Sequence, residues 1–333
     1  MWIWFLAIAA AYVFAVCIVV LIAYNEAFTR KKENPDGFER TKKPLPPDKQ
    51  ACNEQCRIDS ARAAALPSEV ITITAFDGIQ LVANLYTPTE PSDFVAILVH
   101  GFHASGLENF ASMMPFYLND LHCNVLLIDQ RAHGRSGGKV ITFGALEHKD
   151  VLMWAQTMVE RFGENCKIVL HGISMGAGTV MLANERKPPI QVKAIVEDCG
   201  YTSGFEQIKR TMRQEHHIRL PGVMLALECY LRVRGGFSLK NDTKCLQNMP
   251  WAHCSMVFIH GREDTFVPFE MGERLYAACG RPKTKLWVPD AAHAMCYFVA
   301  EQDYQQAIRA LLARTETSPQ DGQLNLSSTI CPS

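Results

Sequence analysis

The chain opens with 23 uncharged, mostly apolar positions, Trp2 to Tyr24. As a helix rising 1.5 Å per residue they would reach ~35 Å, enough for a hydrocarbon core of ~30 Å. No basic residue precedes the run, and it continues well past the small residues Ala7 to Ala11, unlike a cleaved signal peptide. Residues 1–24 are expected to be a single transmembrane anchor that meets the bilayer through residues 2–24. Residues 25–65 turn charged and proline-containing (Pro44, Pro46, Pro47). They read as a polar tether with little core of its own, carrying a short helix around 52–65. Val70 to Phe76 alternates apolar residues with threonine, Asp77-Gly78 marks a turn, and Ile79 to Tyr86 alternates again, which predicts a hairpin.

Short apolar runs near 94–99, 124–128, 167–171, 193–198, 256–260 and 284–288 then alternate with helical periodicity near 108–120, 145–162, 175–186, 268–279 and 297–313. This alternation predicts an α/β domain over 66–314, with a mostly parallel central sheet and helices on both faces. Residues 201–250 interrupt it with a Met-, Leu-, Arg- and His-rich insertion in which 221–232 reads as an apolar helix. Residues 315–333 are polar and aperiodic, a disordered tail.

Composition narrows the function classes. A hydrophobic share of 48% supports a sizeable core, and a net charge of −1 gives no field that would draw in nucleic acid. The twelve cysteines are scattered, with no Cys-x-x-Cys pair, which speaks against a zinc site and fits a reducing compartment. Arg30, Lys31, Lys32, Arg40, Lys42 and Lys43 all follow the apolar run, so the positive-inside rule points the large domain to the cytoplasm. Asn241-Asp242-Thr243 and Asn325-Leu326-Ser327 match the glycosylation triplet and argue the other way, although such triplets are common by chance. The sequence carries no signature of oligomeric state.

The chemistry concentrates at strand ends. Val169-Leu170-His171 leads into Gly172-Ile173-Ser174-Met175-Gly176, a Gly-x-Ser-x-Gly segment between a strand and a small-residue helix start. Such a turn holds serine in a strained conformation at the top of a sheet, and glycines two positions either side avoid collisions with the adjoining strand and helix. One strand ends in His100-Gly101-Phe102, another in His260-Gly261-Arg262-Glu263-Asp264, and a third leads to Asp290-Ala291-Ala292-His293. With serine, acid and histidine in that order, the chain resembles the α/β-hydrolase superfamily, in its esterase/lipase and serine-aminopeptidase-like branch. The resemblance covers roughly residues 66 to 314 and implies an α/β-hydrolase fold, in which the 201–250 insertion would be a small helical cap over the site.

The resemblance assigns Ser174 as nucleophile, His293 as general base and Asp264 as the acid that orients the imidazole. Asp198, at the end of the preceding strand, is the competing acid, since some members place theirs there. The oxyanion hole would come from the backbone N–H groups of Met175 and Phe102. Asp129 and Arg131, in Asp129-Gln130-Arg131-Ala132-His133-Gly134-Arg135-Ser136, read as structural supports of the neighbouring loop. His103 and His133 fall near the pocket mouth without an assigned task, and His216-His217 reads as surface. The expected protein is a membrane-anchored serine hydrolase that cleaves a carboxylic ester or thioester, small or lipophilic, through an acyl-enzyme without metal or cofactor. A peptidase acting on short peptides is the second enzymatic reading, and an inactive hydrolase-fold binding module at the membrane is the reading from another class. Serine in the elbow disfavours a dehalogenase, where that position is aspartate.

Overall fold

The computed structural model describes residues 2–31 and 47–317. The tail from residue 318, the Asn325 triplet and the basic positions Lys32, Arg40, Lys42 and Lys43 lie outside the described residues. Two helices come first, α1 (Trp2–Ala27) and α2 (Pro47–Ala64), and the antiparallel hairpin β1 (Glu69–Thr74) and β2 (Gln80–Tyr86) follows. Then the chain alternates: β3 (Phe94–Val99), α3 (Gly106–Phe110), β4 (Asn124–Asp129), α4 (Glu147–Phe162), β5 (Lys167–Ile173), α5 (Met175–Glu185) and β6 (Val192–Asp198). The insertion holds α6 (Gly204–Gln214), α7 (Val223–Gly235) and two single-turn helices, α8 (Leu239–Asp242) and α9 (Cys245–Asn248). The chain continues with β7 (Ser255–Gly261), α10 (Phe269–Ala278), β8 (Lys283–Val288), the short α11 (Cys296–Val299) and α12 (Glu301–Thr317).

The eight strands form one sheet in the order β1-β2-β4-β3-β5-β6-β7-β8, parallel from β4 to β8 and antiparallel at the β1–β2 edge. The central strands are apolar on both faces because both are covered: Val95, Ile97 and Val99 join one core layer with α4 and α5, while Ala96 and Leu98 join the other with Phe110, Tyr117 and α12. α4 buries Val151, Trp154, Ala155, Met158 and Val159, a helical stripe, and ends at Gly163 with φ +88.

Three elements differ from the periodicity. The helix expected over 108–120 is broken into α3, a 3₁₀ turn at 111–113 and a π turn at Phe116–Asp120. Pro115 has no N–H to donate one turn back, so the chain re-bonds in wider steps, with Leu121 N–H donating to Phe116 O at 3.0 Å. The helix near 297–313 is split into α11 and α12. The apolar insertion helix starts after Gly222, which adopts φ +77, and stops at Gly236, with φ +70.

The region expected to be a free tether is docked at both ends. Phe28 is fully buried against Phe143 and Phe237, and Thr29 bridges to Val140. Arg30 donates to the Gly134 and Ser136 carbonyls. At the other end Ala63 is buried, and Ser112 Oγ donates to Asp59 at 2.7 Å. Burial of Phe28 and Ala63 in otherwise polar surroundings outweighs what composition suggested for this stretch. α1 itself is long and apolar enough to cross a membrane, and only Val16 and Val20 of it are buried in the protein.

The loop after β4 is pinned by Arg131. Its guanidinium donates to both oxygens of Asp150 at 2.6 and 2.7 Å and to Asp77 at 2.9 Å, tying α4 to the hairpin turn. Burial lifts the Asp150 carboxyl to about 6 even though Arg131 pulls it down. Arg131→Met strands that carboxylate, at a cost of about 3–5 kcal/mol. The folded state then keeps a proton that the unfolded chain gives up above about pH 4, so stability falls as pH rises through the still higher folded value. Thermal melts of this variant should show a larger deficit against wild type at pH 8 than at pH 5, and equal deficits would contradict a buried Asp150 held by Arg131.

Candidate active site

β5 delivers its chain into a turn where Ser174 takes φ 57 and ψ −113 before α5 begins at Met175. That conformation is open to few residues and is held from outside: Ser174 N–H donates to Asp198 O at 2.8 Å, and Gly178 N–H donates to Ser174 O at 3.1 Å. The flanking glycines are steric necessities. A Cβ on Gly172 would lie 2.2 Å from Gly176 O, and one on Gly176 would lie 1.9 Å from Val99 O.

The hydroxyl so presented lies 2.9 Å from His293 Nε2, and His293 Nδ1 lies 2.7 Å from Asp264 Oδ2. The other oxygen of Asp264 accepts the N–H groups of Phe266 and Val267 at 2.9 and 2.8 Å. Burial alone would raise the Asp264 carboxyl, but the imidazoles of His260 and His293 beside it hold it at about 2. An acceptor-only carboxylate requires a proton on Nδ1, which leaves Nε2 of a neutral ring free to accept from the serine hydroxyl.

Asp198 is placed differently. Its Oδ2 accepts the Tyr304 hydroxyl at 2.8 Å, and burial pushes its carboxyl up to about 6. Behind it, Tyr304 contacts His171 Nε2 at 2.9 Å and Tyr117 contacts His171 Nδ1 at 2.7 Å, a polar chain buried under the elbow. The structure thus joins Ser174, His293 and Asp264 and leaves Asp198 on Tyr304.

The segment from His100 to His103 is tied down on several sides. Gly101 N–H donates to Asn109 Oδ1 at 2.7 Å, Gln130 N–H donates to His100 Nε2 at 3.0 Å, and His103 N–H donates to His133 Nε2 at 3.1 Å. His133 in turn donates from Nδ1 to the Arg131 carbonyl at 2.9 Å, and burial lowers it to about 3, so it serves as a neutral strut. The sequence left His133 without a task, and neither spacing nor residue type signalled this contact. His260 and Cys199, both buried beside Asp264, were also missed. The amides of Phe102 and Met175 have no acceptor among the described residues, and both residues line the cavity that holds Ser174.

That cavity measures about 450 Å³. Phe143, Tyr201, Ile208 and Phe266 supply apolar walls, and Gln207, Thr211, Glu215 and His216 of the insertion form one side of it. Hydrogen bonds from Gln207 to Phe266 O and from Arg210 to Thr265 O fasten α6 to the Asp264 loop. Exposed His216 therefore borders the cavity. Among the described residues, the one cluster with metal-ligand spacing is Cys199, Asp264 and His293, whose carboxylate and imidazole already bond each other and Ser174.

Comparison with known proteins agrees with this architecture. Residues 90–221 match the family model described as serine aminopeptidase, S33. The uncharacterised protein YqkD of Bacillus subtilis is 27% identical over 216 residues, 65% of this chain and 70% of the relative. An α/β-hydrolase domain-containing protein of Caenorhabditis elegans, aho-3, is 24% identical over 218 residues, covering 64% of this chain and 56% of the relative. An esterase of Pyrococcus furiosus superposes with a TM-score of 0.59 at 21% identity, over 85% of this chain and 98% of the esterase. An esterase of Butyrivibrio proteoclasticus with ferulic acid bound superposes at 0.56 and 20% identity, over 74% of this chain and the whole of the other. The sheet order, the strand–serine–helix turn and these likenesses together show an α/β-hydrolase fold.

Proposed function

We propose that the protein is a membrane-anchored serine hydrolase that cleaves a carboxylic ester or thioester through an acyl-enzyme on Ser174. The observation that carries this is the continuous hydrogen-bonded line from Ser174 Oγ through His293 to Asp264, at 2.9 and 2.7 Å, on the wall of a cavity. His293 Nε2 takes the hydroxyl proton as Oγ attacks the acyl carbon, and Asp264 stabilises the imidazolium that forms. The carbonyl oxygen becomes an oxyanion in front of the Phe102 and Met175 amides, the second at the start of α5, where the helix dipole favours negative charge. Collapse expels the alcohol or thiol, protonated by His293. Water deprotonated by the same ring then releases the acid and restores the serine. Every step uses side chains and main-chain donors of this chain.

The apolar cavity walls favour an acyl group over a short peptide. The aminopeptidase description of the matching family model keeps amide hydrolysis as the second reading. For location, we infer that α1 anchors the chain in a membrane with the hydrolase domain on the cytoplasmic side, the side of Arg30 and Lys31.

Four outcomes are expected of the full-length protein in detergent or nanodiscs. A fluorophosphonate probe labels the wild type and leaves Ser174→Ala unlabelled; an unlabelled wild type would favour the inactive binding module. Against p-nitrophenyl esters of graded chain length and aminoacyl anilides, turnover is confined to the esters, whereas faster anilide cleavage would move the assignment to a peptidase. Asp264→Asn lowers kcat by about 10³–10⁴ by favouring the wrong His293 tautomer. Asp198→Asn keeps an acceptor for Tyr304 and stays within about tenfold of wild type on the scale of a single neutral hydrogen bond. Loss confined to the Asp198 variant would reverse the choice of acid.

A further inference from the structure

The cavity above Ser174 is closed on one side by the end of α1. Glu26, Ala27 and Lys31 line it together with Ile208 and His216 of the insertion. Phe28, next to Ala27, is buried in the domain core, so the foot of the helix is anchored beside the cavity. α7 lies alongside the second half of α1 and runs in the same direction: Tyr12 hydroxyl donates to the Pro221 carbonyl at 2.7 Å, and Tyr24 meets the Tyr230 ring edge-on at 4.9 Å. Tyr12 is ~18 Å along the helix from Tyr24, deep within the apolar part of α1. Only residues 2–11, ~15 Å of helix, project free of the protein, half of a ~30 Å hydrocarbon core. If the exposed apolar face of α1 is to be covered by lipid, α7 must enter the leaflet with it.

The surface of α7 has the polarity this requires. At the end beside Tyr12 it exposes Leu220, Pro221, Gly222 and Leu225, with Leu225 70% exposed. At the end beside Tyr24 it exposes Arg232 and Arg234, level with the foot of α1. The exposed cations of α7 therefore lie level with Arg30 and Lys31 beyond the foot of α1, where phosphate headgroups would be, with Val233 exposed between them, and the far end of α7 exposes apolar side chains. Glu228, near the foot, is buried and accepts from Arg232, Ser238 and the Lys240 amide, and Arg219, exposed in the loop before α7, is a charge the seating requires to extend out of the apolar layer along its own stem.

We propose that α7 and the loop before it are sunk into the leaflet that holds α1, so that the cavity opens at headgroup level and takes a bilayer-resident acyl ester as substrate. The insertion is then a membrane-seated wall of the site rather than a cap in water. The acyl chain enters from the lipid between α6 and the foot of α1. This rests on the serine-hydrolase reading for the chemistry, while the seating of α7 stands on the membrane reading of α1 and on the packing of the two helices.

Two measurements on the full-length chain reconstituted in phosphatidylcholine–phosphatidylglycerol vesicles test it. Leu225→Trp should add tryptophan emission, relative to wild type, that lipids brominated in their acyl chains quench. The same addition at Ile190, 72% exposed in the loop before β6, should stay unquenched. An unquenched signal at 225 would overturn the seating, and would leave a protein partner or a second copy as what covers α7. In the kinetic arm, Leu225→Asp should lower kcat/KM at least tenfold for an umbelliferyl palmitate dissolved in the vesicles and leave umbelliferyl acetate, taken from water, within twofold. Equal effects on both esters, or none on either, would overturn delivery from the bilayer. Failure of the wild type to hydrolyse either ester would sink the hydrolase reading, and the quenching result would still decide where α7 lies.

Discussion

The close approach of β5 and α5 around Ser174 is the constraint from which the rest of the site follows. With φ 57 and ψ −113 the serine backbone holds strain of the order of 1–3 kcal/mol, and the surrounding sheet must over-determine it. It does so through the Asp198 carbonyl on one side and the first turn of α5 on the other. A side chain at 172 would force β5 and α5 apart, and one at 176 would force α5 off the end of β3, because the gaps are smaller than a methyl group. Once the turn is fixed, the hydroxyl, the Met175 amide and the positive end of the α5 dipole all face one point.

Around that point burial sorts the ionisable groups into separate tasks. Asp264 is surrounded by donors, two amides and the His293 ring, and stays charged. Asp198 has the Tyr304 hydroxyl and a largely apolar setting, so its carboxyl rises to about 6. His100, His133 and His171 are all pushed well below the ordinary histidine range by burial and act as neutral hydrogen-bonding spacers. His293 is the one of these histidines that combines a charged carboxylate on one nitrogen with a serine hydroxyl on the other. Carboxylates at the ends of two adjacent strands, β6 and β7, thus end up with different chemistry because of what donates to them.

The second organising relation is between the apolar helix and the cavity. Phe28 and Arg30 turn the end of α1 into part of the domain: one fills the core and the other ties together the loop that also contains His133. Removing the helix would therefore open the cavity wall.

The strand–helix alternation, the parallel sheet and the apolar amino-terminal helix were legible in the chain because each rests on local periodicity or on an unbroken apolar run. Ser174, Asp264 and His293 were legible as candidates because strand ends and glycine spacing mark them. The choice of Asp264 over Asp198 rested on the resemblance, since both follow a buried strand, and it is the packing of α12 that brings Tyr304 to one and leaves the other facing His293. The broken helix after β3 follows from Pro115, a local signal that helical periodicity masked. The roles of His133, Phe28, Arg30 and α7 depend on contacts between residues up to 209 positions apart. Local patterning determined which elements form and where chemistry could occur. The tertiary structure decided which polar groups share a proton and which surfaces enclose them, because desolvation and hydrogen bonding depend on neighbours that the order of residues does not name.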